Sequence, residues 1–214
     1  MQWFIDFDDT LIIAPSTWAI QSVLPRLIRQ HQLAYTEQML YEALLRSQQL
    51  AALAFDETQL IDSLFKLMGW SSALKDVLRK EVEEHYMPML FEDARPFLQR
   101  MKSAGQRIYI VANNNQAPQI AQALGIAVYV DDIFTPQRCG AARGKPHREM
   151  WEYIAEQVAT EDTIMVGDDP WCDGAFADAC ELPCILVDRW DRYAHLSRYY
   201  RCLSLHEIEP VNAN

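Results

Sequence analysis

Four groups of polar residues, each following an apolar stretch, are the parts of this sequence that could carry out chemistry. They are Asp6, Asp8 and Thr10; Asn113, Asn114 and Asn115; Lys145 between Gly144 and Pro146; and Asp168, Asp169 and Asp173. Carboxylates drawn from two segments repel one another and need cations to hold them together. Mg²⁺, a hard cation that prefers oxygen ligands, fits such carboxylates better than zinc does. The sequence therefore predicts a magnesium site wherever the chain brings these groups together.

The elements around these groups alternate between strands and helices. Strands are predicted at 2–5, 107–111, 163–166 and 184–187 and around Val128 and Ile133, and helices at 94–104, 116–124, 147–158 and 173–180. This alternation is typical of βαβ units in a doubly wound parallel sheet with helices on both faces. Because the carboxyl ends of parallel strands lie at one edge of the sheet, the four polar groups can converge on one crevice.

The segment from residue 16 to about residue 86 differs from the rest of the chain. Its apolar residues recur at helical spacing, which predicts about four helices and no strands. Because this helical stretch separates the first strand from the remaining ones, we interpret it as an insertion. The expected fold is α/β, with a Rossmann-like core formed by residues 1–15 and 88–214 and an all-helical domain formed by residues 16–87.

The composition argues against several classes of function. The chain has 214 residues, with 19 Lys and Arg against 30 Asp and Glu, and its net charge of -11 repels a nucleic-acid backbone. Its five cysteines form no CxxC pair, which argues against a structural zinc site and a disulfide framework. Neither a signal-peptide pattern nor an apolar run of roughly 20 residues, the length that crosses a bilayer, is found. We expect a cytoplasmic protein that binds neither nucleic acid nor membrane, and its oligomeric state stays open.

Taken in order, the four motifs resemble those of the haloacid dehalogenase superfamily of aspartate-nucleophile hydrolases. The matching segments are Asp6-Phe7-Asp8-Asp9-Thr10-Leu11, Val111-Ala112-Asn113-Asn114, Lys145-Pro146 and Val166-Gly167-Asp168-Asp169-Pro170-Trp171-Cys172-Asp173. The resemblance covers essentially the whole chain and includes a helical cap inserted just after the first motif. It implies a Mg²⁺-dependent phosphatase that acts on a small phosphorylated metabolite through an aspartyl-phosphate intermediate.

The resemblance also implies roles for the first and third motifs. Asp6 would attack phosphorus, while Asp8 would protonate the leaving oxygen and later deprotonate the attacking water. A carboxylate attacks an anionic phosphoryl group only when their repulsion is neutralised, which a metal ion and Lys145 can do. Thr10 would shape the loop that receives the phosphate. The dehalogenases of the family lack an aspartate at the position of Asp8, so its presence favours phosphoryl transfer over dehalogenation.

For the metal, the family pattern implies three principal ligands. Mg²⁺ would be held by the carboxylates of Asp6 and Asp168 and by the backbone carbonyl of Asp8. Asp173 or Asp169 would help, directly or through water. Carboxylates at the start of a helix also cap its backbone N–H groups, so Asp169 can be either a metal ligand or a cap.

One position departs from the family pattern. After the second core strand the family carries Ser or Thr, whose hydroxyl donates to a phosphoryl oxygen, but here Ala112 stands there, followed by three asparagines. The loss of such a donor can cost about 100-fold in rate. Either Asn113 or Asn114 replaces the hydroxyl as a phosphate-binding residue, or activity is weak. The alternatives are a phosphomutase, another hydrolase of this fold, or a catalytically weakened regulatory protein that binds a metabolite.

Overall fold

The structure is a computed structural model that describes residues 1–54, 56 and 58–211. It has two compact units, of which the smaller, Ala14–Pro88, is built from helices. These are α1 (Pro15–Trp18), a π-helical turn (Ala19–Val23), α2 (Leu24–His31), α3 (Glu37–Ala54), α4 (Thr58–Met68) and α5 (Ala73–His85). A cluster of buried apolar side chains that includes Leu64, Phe65 and Leu78 forms the core of this unit.

The larger unit consists of Met1–Ile13 and the chain from Met89 onward, and it alternates strands with helices. Its elements are β1 (Gln2–Ile5), α6 (Ala94–Ser103), β2 (Arg107–Val111), α7 (Ala117–Ala123), a 3-10 turn (Ala127–Tyr129), β3 (Asp132–Phe134), α8 (Pro136–Cys139), α9 (Glu149–Gln157), β4 (Thr163–Gly167), a π-helical turn (Pro170–Gly174), α10 (Ala175–Ala179), β5 (Cys184–Val187), β6 (Tyr200–Cys202) and a 3-10 turn (Leu205–Glu207). In the part of the chain that the structure describes, the sheet has six strands, all parallel, in the order β3-β2-β1-β4-β5-β6. The predicted Rossmann-like α/β fold is thus confirmed.

The sheet is buried on both faces because side chains alternate along each strand. On β1, Trp3 and Ile5 belong to the apolar core of one face, whereas Phe4 belongs to the core of the other. Residues of α6 complete the first core and residues of α9 complete the second. With both faces covered, the edge formed by the carboxyl ends of the strands is where polar side chains can gather.

The strand register brings three of the polar groups to the same level of the sheet. Ile5 at the end of β1 lies beside Ile110 of β2 and Val166 of β4. The backbone N–H of Asp6 then donates to the carbonyl of Val166 at 2.8 Å. The ends of β1, β2 and β4 therefore lie side by side, and the polar residues that follow these strands are close together, as the sequence predicts.

Short segments of the larger unit differ from the prediction, among them the run around Val128 and β6. Val128 was expected in a strand, but it lies in a 3-10 turn and is 74% exposed. Of residues 126–130 only Ile126 is fully buried, so this run lacks the alternating burial of a strand. Conversely, β6 was not predicted, because three residues with a central Arg201 carry no strand pattern. In the described residues, no helix combines the length and the apolar character needed to cross a membrane.

Candidate active site

Three buried carboxylates meet at the carboxyl edge of the sheet. Asp6 follows β1, while Asp168 and Asp173 follow β4, and one oxygen of each lies within 4.8 Å of the others. The three residues are 7%, 6% and 1% exposed, respectively. Like charges this close, shielded from water, disfavour their own ionisation. The cluster therefore requires positive charge.

Lys145 supplies one such charge from the segment before α9. Its side chain is fully buried, and its Nζ lies 2.5 Å from Asp6 Oδ1 and 2.5 Å from Asp173 Oδ1. Burial alone would lower the pKa of Lys145, but the charges of Asp173 and Asp6 outweigh it and raise this pKa well above its ordinary value. The amine is therefore a fixed ammonium ion, and a single ammonium does not balance three carboxylates.

The excess of negative charge in the cluster affects the pKa values of its carboxyl groups. Burial, followed by the charge of Asp173, raises the pKa of Asp6 to about 7 against the opposing effect of Lys145. Burial and the nearby charges of Asp9 and Asp173 raise the pKa of Asp168 well above its ordinary value. A divalent cation among these oxygens would restore their ionised forms, and an all-oxygen donor set suits Mg²⁺.

Asp173 is held in place by the loop that precedes it. Its Oδ2 accepts the backbone N–H groups of Asp168 and Asp169 at 3.1 Å each, while its Oδ1 faces Lys145. The carboxyl group lies so close to Gly167 that a Cβ there would be 2.2 Å from Asp173 Cγ. Any side chain at position 167 would displace Asp173, which explains the glycine at the start of the fourth motif.

Asp169 makes the hydrogen bonds of a helix cap. Its Oδ1 accepts the backbone N–H groups of Trp171 at 2.7 Å and Cys172 at 3.2 Å, at the start of the π-helical turn. Burial and the charge of Asp173 raise the pKa of Asp169 to about 7. Of the two roles that the sequence leaves open for Asp169, these contacts favour capping.

Asn113 binds the backbone of Lys145. Its Oδ1 accepts the Lys145 N–H at 2.7 Å, and its Nδ2 donates to the Lys145 carbonyl at 2.8 Å. This approach depends on Gly144, because a Cβ at that position would lie 2.2 Å from Asn113 Oδ1. Both polar atoms of the side chain are thus directed at the lysine segment, and Asn113 orients Lys145.

Asn114 lies beside the second aspartate of the first motif. Its Nδ2 is 3.4 Å from Asp8 Oδ1, and its Oδ1 accepts the backbone N–H of Gln116 at 2.9 Å. Ala112, at the end of β2, is fully buried and provides no side-chain donor. Of the two asparagines considered as replacements for the missing hydroxyl, Asn114 is therefore the one whose amide faces the first motif.

The loop after β1 carries the remaining residues of the first motif. The backbone N–H groups of Leu11 and Ile12 donate to the carbonyl of Phe7 at 2.9 and 3.0 Å, which closes the loop. Asp8 is half-buried, whereas Thr10 is fully buried. The Thr10 hydroxyl has no hydrogen-bond partner among the described residues. The side chain of Thr10 therefore packs inside the loop.

Residues that follow β5 also reach the site, and sequence reasoning missed them. Nη2 of Arg192 is 3.8 Å from Asp168 Oδ2, and its guanidinium lies 4.6 Å from the ring centroid of Trp190. Tyr193 is fully buried and packs edge-on against Trp171, with ring centroids 5.6 Å apart. The signal that could have found them is β5 itself, because residues after any strand of a parallel sheet reach the same edge.

Comparisons of the sequence with known proteins find a family model and a phosphatase among the relatives. A model of the haloacid dehalogenase-like hydrolase family matches residues 4–180. Phosphatase MT3486 of Mycobacterium tuberculosis (strain CDC 1551 / Oshkosh) is 29% identical over an alignment of 143 residues, and the match covers 64% of this chain. The match spans 65% of the length of that relative, which is a little under two thirds.

Solved structures share the fold over nearly the whole chain. The HAD-hydrolase YfnB from Bacillus subtilis, bound to magnesium, has a TM-score of 0.65 at 19% identity and covers 96% of this chain and 95% of its own. A HAD family hydrolase from Deinococcus radiodurans R1, with bound phosphate and sodium, has a TM-score of 0.67 at 16% identity, with coverages of 96% and 92%. At these identities the likeness establishes the fold.

Proposed function

The chain belongs to the haloacid dehalogenase-like hydrolase family, and from this membership we propose that it is a Mg²⁺-dependent phosphatase of a small phosphorylated metabolite. The observation that carries the proposal is the contact of the buried Lys145 ammonium with Asp6 and Asp173, next to Asp168. Acidic oxygens around a buried ammonium ion suit an anionic substrate that binds together with a divalent metal. The phosphatase relative and the magnesium-bound hydrolase of the same fold support this activity.

In the proposed reaction, Asp6 is the nucleophile. A carboxylate oxygen of Asp6 forms a bond to phosphorus, the bond from phosphorus to the leaving oxygen breaks, and an aspartyl-phosphate results. The ammonium of Lys145 favours the ionised form of Asp6 and places positive charge where negative charge develops on the phosphoryl group. When bound, Mg²⁺ would neutralise further negative charge on the substrate and on the cluster.

Asp8 is proposed as the proton-transfer group. It gives a proton to the leaving oxygen and afterwards takes one from the water that hydrolyses the aspartyl-phosphate. Its position on the same loop as Asp6 and its half-buried side chain suit this exchange. The amide of Asn114, at 3.4 Å from Asp8 Oδ1, can orient the carboxyl group.

The proposed metal ligands are not equivalent. Asp6, Asp168 and the backbone carbonyl of Asp8 would hold Mg²⁺, with Asp173 as a further ligand. Asp173 already accepts three hydrogen bonds, and a carboxylate has about four acceptor positions. Most of the hydrogen-bonding capacity of Asp173 is therefore used to hold Lys145 and the loop. Asp6 and Asp168 would then be the main carboxylate ligands of the ion.

We also propose that the helical unit Ala14–Pro88 serves as the cap of this family and determines the choice of substrate. It is inserted directly after the first motif, where the resemblance places a cap, and it has an apolar core of its own. The catalytic residues proposed above all belong to the other unit. Substrate choice and chemistry would thus be carried by different parts of the chain.

Phosphate release from a panel of phosphorylated metabolites, measured with and without Mg²⁺, tests the proposed function. We expect turnover of several phosphate monoesters with Mg²⁺, loss of activity on chelation, and recovery when Mg²⁺ is restored. Halide release from a 2-halo acid, assayed in parallel, tests the dehalogenase chemistry of the same fold. Metabolite binding without phosphate release would instead favour the regulatory protein, and full activity after exhaustive chelation would exclude the mechanism.

The missing hydroxyl at Ala112 leads to a second prediction. Asn114→Ala is expected to lower kcat about 100-fold with little change in Tm, because the Asn114 NH2 group has a second N–H, besides the one that faces Asp8, that can donate to the phosphoryl group in place of the hydroxyl. Asn113→Ala is expected to lower both kcat and Tm, because it frees the backbone of Lys145. Ala112→Ser should change little in the wild type but recover about tenfold in the Asn114→Ala background. If Ala112→Ser alone raises kcat tenfold, no asparagine compensates.

A further inference from the structure

The guanidinium of Arg189, just after β5, connects the first motif to the start of α6. Its Nη2 donates to the backbone carbonyl of Thr10 at 2.7 Å. Nη1 and Nη2 also donate to the two carboxylate oxygens of Asp93, at 2.8 and 2.9 Å. The guanidinium carbon lies 3.9 Å from the ring centroid of Phe91. The guanidinium of Arg189 thus donates to a loop carbonyl, while its contacts with Asp93 and Phe91 fix its orientation.

The carbonyl of Thr10 needs this donor because water does not reach it. Thr10 is fully buried, and the nearby N–H groups of Leu11 and Ile12 are already bonded to Phe7 within the loop. A buried carbonyl that loses its donor must find another partner or be displaced toward water. Removing Arg189 would therefore shift the loop.

Arg189 is itself held rigidly on its other side. Asp93 is 4% exposed and also accepts the hydroxyl of Ser204 at 2.7 Å and the N–H of Leu205 at 2.9 Å. Burial raises the pKa of Asp93, but the hydrogen bonds from Arg189 and Ser204 outweigh it and hold this pKa below its ordinary value. The carboxylate stays charged, and the paired contact leaves the guanidinium a single orientation.

We propose that Arg189 is a positioning residue of the reaction, which acts through the Thr10 carbonyl to hold Asp6 and Asp8 in their productive places. The inference rests on the proposed function, since the two aspartates are the nucleophile and the proton-transfer group. A displacement of about 1 Å at a reacting group can cost about 100-fold in rate. Because the guanidinium of Arg189 bonds the Thr10 carbonyl and Asp93, and acts on the two aspartates through the loop backbone, we expect its effect to fall on kcat and to leave KM nearly unchanged.

Two substitutions at Arg189 test the proposal. Arg189→Met keeps an apolar contact with Phe91 and removes every hydrogen bond, and we expect kcat to fall about 30- to 100-fold with KM within about threefold. Arg189→Lys keeps the charge beside Asp93 but lacks the fork that also reaches Thr10. It should recover part of the loss, with kcat about tenfold below that of the wild type.

Arg100 provides a matched control. Its Nη2 donates to the backbone carbonyls of Leu205 and Ile208 at 3.0 and 2.8 Å, and its guanidinium lies near Phe97. Arg100→Met therefore removes a comparable arginine contact with backbone carbonyls from the same unit without touching the first motif. We expect it to lower Tm while kcat stays within about threefold of the wild type.

Hydrogen exchange separates this inference from the proposed function. The amides of Leu11 and Ile12 should exchange about tenfold faster in Arg189→Met, and should be unchanged in Arg100→Met, whether or not turnover is detected. If the wild type hydrolyses no phosphate ester, the proposed function is wrong, and the hydrogen-exchange rates alone then test whether Arg189 holds the loop. Unchanged exchange at both amides, or a kcat loss no larger than that of Arg100→Met, overturns the proposal. Should Arg189→Met not fold, Arg189→Lys decides by the same measurements.

Discussion

Asp6→Asn is expected to lower kcat by about 10,000-fold or more, which is the largest effect of any single substitution considered for this protein. The amide of asparagine has the shape of the carboxyl group but cannot form the aspartyl-phosphate. The measurement is phosphate release at saturating substrate and Mg²⁺. Retention of more than about 1% of kcat would remove Asp6 from the nucleophile role.

The same substitution is expected to stabilise the folded protein without metal, and increasingly so as pH rises. The folded-state pKa of Asp6, at about 7, lies above its ordinary value of 3.8. The folded protein therefore binds the proton more tightly than the unfolded chain, and ionisation of Asp6 costs stability as pH rises through this interval. Asparagine does not titrate, so Tm of the variant should exceed that of the wild type most clearly near pH 8, by the equivalent of at most about 4 kcal/mol.

Asp131→Asn is the matched control for Asp6→Asn. Asp131 also contacts a lysine, Lys102, at 3.1 Å, but it accepts the N–H of Ile108 at the start of β2 and so lies away from the carboxyl edge. We expect normal kcat and a Tm difference that does not grow from pH 5 to pH 8. A Tm of Asp6→Asn that falls with pH, or that parallels this control, would contradict the charge imbalance described for the cluster.

The alternation of strands and helices was enough to predict the fold and the edge at which the polar groups gather. Parallel strands share one carboxyl edge, so the order of the elements brings Asp6 and Asp168 together, whereas Lys145 is placed by the segment between α8 and α9. The conformation of a segment of only a few residues is harder to predict, because it is determined by packing against neighbouring elements. The residues around Val128 form a 3-10 turn in which Val128 is exposed, and β6 pairs with β5 despite its polar sequence.

The hydrogen-bond partners within the site could not be predicted in the same way. The amide of Asn113 pairs with the backbone of Lys145, and Arg189 reaches the carbonyl of Thr10, across long separations in sequence. Such pairs depend on how the loops pack, and a motif specifies only the residue type. A side chain predicted to bind the substrate can thus be directed toward the protein, which is why Asn113 is assigned to Lys145 and not to the phosphate.

Lys145→Met is expected to lower kcat about 1,000-fold and to destabilise the fold by about 3 to 5 kcal/mol, because it leaves buried carboxylates without their cation. For a chain of this size the loss corresponds to a Tm about 10 °C lower. The loss of stability should be smaller near pH 5, because the buried carboxyl groups can then be neutralised by protons when the ammonium is absent. Lys102→Met, which removes an exposed lysine from Asp131, should cost less than about 1 kcal/mol.

The double variant Asp6→Asn/Lys145→Met tests whether the two groups interact in the folded protein. With Lys145 absent, Asp6 contributes only repulsion, so Asp6→Asn should raise Tm by more in the Lys145→Met background than in the wild type. The free energies of unfolding should then be non-additive by about 2 kcal/mol or more at pH 8, and less at pH 5. The measurement is denaturant unfolding of the four proteins without Mg²⁺. An additive cycle would mean that the ammonium and the carboxylate do not act on each other, and the observation that carries the proposed phosphatase function would be lost.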